Sequence, residues 1–257
     1  MTIKQSVCLP ILGQTNQRKL IKEIAEIGFT AIEIWGRDDQ FESLCSDVKE
    51  HGLTIASTIG HQSLTDGLNN NNNHQRIEEE LCRSIEIAAK SDVSGLICFS
   101  GNRIDAMTEA QAIENTANGL IRVAPYAEKY GINLNLELLN SKIDHIGYQC
   151  DSTAWGLEVI KQVNSPRVKL LYDIYHMQIM EGDLIRTIRE NIQEIGHFHT
   201  AGNPGRYDLD DEQELNYPAI CSAISATGYT GFLGHEFRPK DGNIIRALRQ
   251  AFDKCST

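Results

Sequence analysis

Apolar residues in this chain fall into short strand-like runs that alternate with stretches of helical spacing. Lys4–Leu9 is a strand candidate stopped by Pro10. Asn16–Ile27 puts Leu20, Ile21, Ile24, Ala25 and Ile27 on one helical face, closed by Gly28. The pattern then repeats. Strands are expected at Ala31–Trp35, Leu53–Ser57, Gly95–Ser100, Asn133–Leu138, Val168–Tyr172, Ile195–Thr200 and Gly231–Phe237. Helices are expected at Phe41–His51, Gln75–Ser91, Thr108–Tyr130, Cys150–Val163, Asp183–Ile192, Tyr217–Thr227 and Asp241–Phe252. Regular strand–helix alternation makes a parallel sheet with helical crossovers. Eight units close a barrel, and the 257 residues match the roughly 250 of a (β/α)8 barrel. The expected fold is therefore α/β, a single (β/α)8 TIM barrel domain over residues 1–257. A doubly wound sheet is the other arrangement of that length. The asparagine run 69–73 reads as a solvated loop that caps the next helix.

Barrel enzymes carry their chemistry at the C-terminal strand ends. Strands five to eight each deliver one metal-competent group there: Glu137, Asp173, His199 and Glu236. Taken singly, each is an ordinary strand-end charge. Together, three carboxylates and an imidazole at one height would repel one another unless a cation lay among them. The oxygen-rich set suits Mg²⁺ or Mn²⁺, with Co²⁺ or Zn²⁺ as the other candidates. His197 shares the face of His199 one layer deeper and reads as a hydrogen-bonded core histidine. His176, three residues past Asp173, is a candidate substrate contact, and His61 after Gly60 is a weaker one. Arg206 follows a Pro-Gly bend that would turn it back over the barrel mouth, where a guanidinium can grip a carboxylate. His235 points away from Glu236, toward the helices.

Charge removes one class of function. A net charge of −11 disfavours a phosphate-backbone partner, so no nucleic acid is expected. No apolar run reaches the roughly 20 residues that span a membrane. Seven scattered cysteines without a CxxC, and an N-terminus without an apolar leader core, read as reduced thiols in a cytoplasm. The expected partner is a small molecule, and assembly into a homo-oligomer is left open.

The segments Asn135–Tyr148, Lys169–Leu184, Ile195–Arg206, Glu214–Tyr217 and Gly228–Pro239 resemble the xylose isomerase-like barrel superfamily. Within it they are most similar to hydroxypyruvate isomerases. The combination of DIYHMQIMEGDL with the PGR loop and LNYP carries the likeness. It covers the C-terminal half densely and the N-terminal half by barrel layout.

The resemblance implies a divalent metal held by Glu137, Asp173, His199 and Glu236. It makes the two glutamates the acid/base pair and places His176 and Arg206 at the substrate. The implied reaction interconverts hydroxypyruvate and tartronate semialdehyde through an enediolate. At one position the chain departs from that pattern. Hydroxypyruvate isomerases carry Gln where His199 stands, and histidine there resembles the ketose 3-epimerases. A ketose 3-epimerase or other sugar isomerase is therefore the alternative, followed by a sugar-acid dehydratase and a non-catalytic sugar-binding barrel. Endonuclease IV of the same superfamily needs further histidines that Ser100-Gly101-Asn102 and YDLDDEQE do not supply.

Overall fold

The computed structural model describes residues 3–13 and 17–256. Eight parallel strands close into a barrel in chain order, β1 to β8. They are β1 (Lys4–Cys8), β2 (Ala31–Ile34), β3 (Thr54–Ile59), β4 (Val93–Cys98), β5 (Asn133–Glu137), β6 (Val168–Asp173), β7 (Ile195–Thr200) and β8 (Phe232–His235). The strand ends lie within two residues of the expected ones, and those of β7 coincide with them. Asn16, the first residue of the first expected helix, lies outside the described residues.

The chain packs as two compact units. The first comprises Met1–Thr58, Asp183–Ile192 and Phe198–Thr257; the second comprises Ile59–Gly182 and Gln193–His197. In the first, β1 pairs with β2 and with β8, and β7 pairs with β8. Helices α1 (Gln17–Ile27) and α2 (Phe41–Glu50) belong to this unit. The register of β2 against β3 slips by one residue between Ile32 and Glu33. Such a bulge re-aims side chains, and here it falls at a buried glutamate.

In the second unit, β4 pairs with β5 and β5 with β6, flanked by α3 (His74–Lys90). The long helix expected over Thr108–Tyr130 is two helices, α4 (Glu109–Ile121) and α5 (Ala124–Tyr130). Pro125, which cannot donate its nitrogen to a continuing helix, sits in the first turn of α5. Helix α6 spans Thr153–Val163, starting after Ser152, whose side chain caps it. A further helix, α7 (Ile174–Met180), follows β6 directly; the apolar pattern does not mark it. The remaining helices, α8 (Leu184–Asn191), α9 (Tyr217–Ala226) and α10 (Ile244–Cys255), belong to the first unit.

Among the described residues, none of the seven cysteines forms a disulfide. Among the described residues no helix is long and apolar enough to cross a membrane.

Candidate active site and metal centre

The first unit gathers Glu33, His199, Glu236, Arg206 and Cys8. His199 is buried at the end of β7. Its Nε2 lies 2.9 Å from Oε2 of Glu33, and its Nδ1 lies 3.2 Å from Oε2 of Glu236. Ser6 donates to the other Glu33 oxygen at 2.6 Å. A carboxylate only accepts, so Nε2 carries the proton shared with Glu33. Nδ1 then faces a second carboxylate, and a proton or a metal ion must lie between the two.

The room for this contact comes from Gly234. A Cβ there would sit 2.0 Å from Oε1 of Glu33 and 2.9 Å from Cδ2 of His199. Strand ends alone do not reveal Glu33, because it lies inside AIEI. A signal exists nonetheless: a parallel strand buried on both faces leaves a mid-strand carboxylate no water to face.

Glu236 is held from two sides. Nη2 of Arg206 approaches its Oε2 to 2.5 Å, and Sγ of Cys8 lies 3.7 Å from its Oε1. Burial, and then the charges of Glu236 and Glu33, push the Cys8 thiol well up, so it stays protonated as a neutral donor.

Arg206 adopts φ +60° in a tight hairpin closed by the Gly202–Tyr207 bridge, and its carbonyl accepts from the Arg238 nitrogen. The ELNY segment braces this hairpin. Tyr217 Oη bonds both the nitrogen and the carbonyl of Ala201, and Asn203 donates to the Glu214 carboxylate at 2.8 Å. The spacing from His199 to Arg206 thus has a mechanical basis in residues 214–217.

In the second unit, Glu137 ends β5 and is buried. Tyr148 Oη donates to its carbonyl and accepts from the Ser100 nitrogen, both at 3.1 Å. Asp173 ends β6 and caps α7, with Oδ1 accepting from the His176 nitrogen at 3.0 Å. The His176 ring is buried, with Nε2 3.6 Å from Oδ2 of Asp173 and Nδ1 2.5 Å from Nδ2 of Asn140. His145 packs edge-on against His176, with centroids 5.3 Å apart. Glu181 of the MEGDL stretch is structural. It accepts from the nitrogen and hydroxyl of Thr153 and so fixes the start of α6.

His61 is engaged by backbone groups. Its Nδ1 meets the Gln62 carbonyl and its Nε2 accepts from the Phe99 nitrogen, both at 3.0 Å. With both ring nitrogens bonded to backbone, it ties the loop to the end of β4. Burial lowers its pKa to about 4. His235, expected to face the helices, is hydrogen-bonded to residues of the neighbouring strands β7 and β1. It lies between Thr200 and Gln5, meets the Phe29 ring edge-on, and is pulled down by burial to about 3. His197 is buried, and Trp35 is 42% exposed.

The xylose isomerase-like TIM barrel model matches residues 21–255. The chain belongs to that family. It is 34% identical over 150 residues to a 2-oxo-tetronate isomerase of Cupriavidus necator, across 58% of this chain and 55% of that protein. It is 33% identical over 124 residues to the hydroxypyruvate isomerase of Escherichia coli K12, across 47% of this chain and 48% of that protein. These alignments therefore span about half the length of each relative. Among solved structures, an AP endonuclease, family 2, from Brucella melitensis superposes with a TM-score of 0.84 over 100% of both chains, at 24% identity. A likeness at that identity shows the fold alone.

Proposed function

We propose that this chain is a divalent-metal-dependent isomerase of small 2-keto acids, with hydroxypyruvate and tartronate semialdehyde as the substrate pair. The carrying observation is the placement of four ligand-type residues. Glu137, Asp173, His199 and Glu236 are all buried, stand within one residue of the C-terminal ends of β5 to β8, and make up a set that could hold a metal ion. The names of the relatives point to the same reaction class.

The donor chemistry fits a metal. Three carboxylates and one imidazole give a hard, anionic set suited to Mg²⁺ or Mn²⁺ and open to Co²⁺ or Zn²⁺. His199 supports the fit, since Glu33 takes its Nε2 and leaves Nδ1 toward Glu236. Glu137, Asp173, Nδ1 of His199 and Glu236 would hold the ion. When bound, it polarises the substrate's carbonyl and neighbouring hydroxyl oxygens.

The side chains do the proton work. One glutamate removes a proton from C3 of hydroxypyruvate, leaving an enediolate. The same or the other glutamate then delivers a proton to C2 while the hydroxyl proton on the C3 oxygen passes to the C2 oxygen, giving tartronate semialdehyde. Arg206 pairs with Glu236, and a guanidinium has donors enough to hold the substrate carboxylate as well. His176 supplies a polar contact to the substrate.

Histidine at position 199 favours a second reading, a ketose 3-epimerase. The test is a screen of hydroxypyruvate, 2-keto-tetronate and C5–C6 ketoses with added Mg²⁺ or Mn²⁺, followed by NMR in D2O. Turnover of the keto acids supports the proposal. Turnover of ketoses alone shifts the assignment to the epimerase. No C–H exchange on any substrate overturns both.

A further inference from the structure

We propose that Asn140 is a positioning residue that fixes the His176 imidazole in its Nε2–H tautomer, making His176 a hydrogen-bond donor to a substrate oxygen. The substrate half of this statement rests on the isomerase reading above; the tautomer half does not.

Asn140 lies three residues past Glu137, just after β5, and is fully buried. Its amide cannot be turned over. Oδ1 accepts from the backbone nitrogens of Ile143 and Asp144 at 3.0 and 2.9 Å, so the opposite end of the group is the NH2. That nitrogen has two hydrogens and no accepting lone pair. One hydrogen goes to Oδ2 of Asp144 at 2.6 Å, and the other points at Nδ1 of His176 at 2.5 Å. Asp144 is itself held by the Tyr175 hydroxyl at 2.9 Å. His176 Nδ1 is therefore the acceptor, and in a neutral imidazole the proton sits on Nε2. The choice between tautomers takes up no net proton.

Nε2, which carries the proton, faces Oδ2 of Asp173 at 3.6 Å. The Asp173 carboxylate is meanwhile oriented by the bond from the His176 nitrogen to its Oδ1. The N–H on Nε2 is thus set beside a proposed metal ligand, where a substrate hydroxyl or carbonyl oxygen would sit. The motif DIYH gains an explanation: Asp173 starts α7, and Tyr175 and His176 reach back to Asp144 and Asn140 of one loop.

The test uses the full chain loaded with Mg²⁺ and labelled with ¹⁵N in the histidine rings. Long-range ¹⁵N–¹H spectra report each tautomer, and His176→Gln identifies the resonance. The wild type is expected to show a pyridine-like Nδ1 and a pyrrole-like Nε2 at His176. Asn140→Asp replaces the donor with an acceptor, so it should reverse that pattern and lower kcat/KM about tenfold or more. Asn140→Asp with Asp144→Asn keeps the loop's charge and internal bond, and should show the same reversal with near-wild-type melting. A wild-type Nδ1–H form, or an unchanged tautomer in either folded variant, overturns the proposal. If the tautomers behave as stated while no keto acid or ketose turns over, the isomerase reading fails and the positioning role of Asn140 stands.

Discussion

His199 Nε2 lies 2.9 Å from Oε2 of Glu33, whose other oxygen is held at 2.6 Å by Ser6. Carboxylates behind a ligating imidazole fix its tautomer and raise its basicity, and their loss costs about 10- to 100-fold in metal affinity. Glu33→Gln should therefore weaken Mn²⁺ binding by about that factor in calorimetric titration. Unchanged affinity would remove Glu33 from the centre.

Gly234 leaves the space in which Glu33 and His199 meet. Gly234→Ala would place a Cβ 2.0 Å from Oε1 of Glu33. Overpacking of this kind costs about 1–3 kcal/mol, so denaturant unfolding should show a loss of that size together with weakened metal binding. Wild-type stability in the alanine variant would contradict the packing described.

Arg206 contacts Glu236 at 2.5 Å, and in the proposed function it also grips the substrate carboxylate. Charged hydrogen bonds contribute about 1.5–3 kcal/mol. Arg206→Ala should lower kcat/KM for hydroxypyruvate about ten- to hundredfold and affect uncharged ketoses less. Equal losses on both substrate types would take the carboxylate contact away from Arg206.

Buried neutral histidines make stability depend on pH. His61 and His235 have pKa values lowered to about 4 and about 3, burial being the main cause for both. Below about pH 6.5 the unfolded chain binds a proton at each that the folded chain refuses. Stability is therefore full above pH 6.5 and falls as pH drops toward 4. Each histidine contributes a slope of about 1.4 kcal/mol per pH unit. His235→Gln, which can still bond Thr200 and Gln5, should give a shallower fall between pH 6.5 and 5 in denaturant titrations. An identical slope would contradict the assignment.

The barrel is legible in the sequence because βα alternation is a period signal that survives errors of a few residues at each boundary. The break between α4 and α5 is marked by Pro125, but the apolar periodicity runs straight across it. Helix α7 escapes the pattern because its seven residues are too few for a periodic face. Its start lies in Asp173, which serves as both strand end and cap. The residues proposed as metal ligands stand at strand ends, where position alone marks them. Glu33 and Asn140 cannot be marked that way. Glu33 acts through a bulge and a facing glycine, and Asn140 through a loop whose geometry decides which way its amide turns. The backbone contacts of both His61 nitrogens likewise depend on the loop after β3 and cannot be read from its position.

The central claim is proton transfer by Glu137 and Glu236, and the most direct test is hydrogen exchange at C3 of hydroxypyruvate in D2O with Mg²⁺ present. The wild type should incorporate deuterium, while Glu137→Gln and Glu236→Gln, each shown to be folded, should lose the exchange. Full exchange retained in both variants would contradict the account.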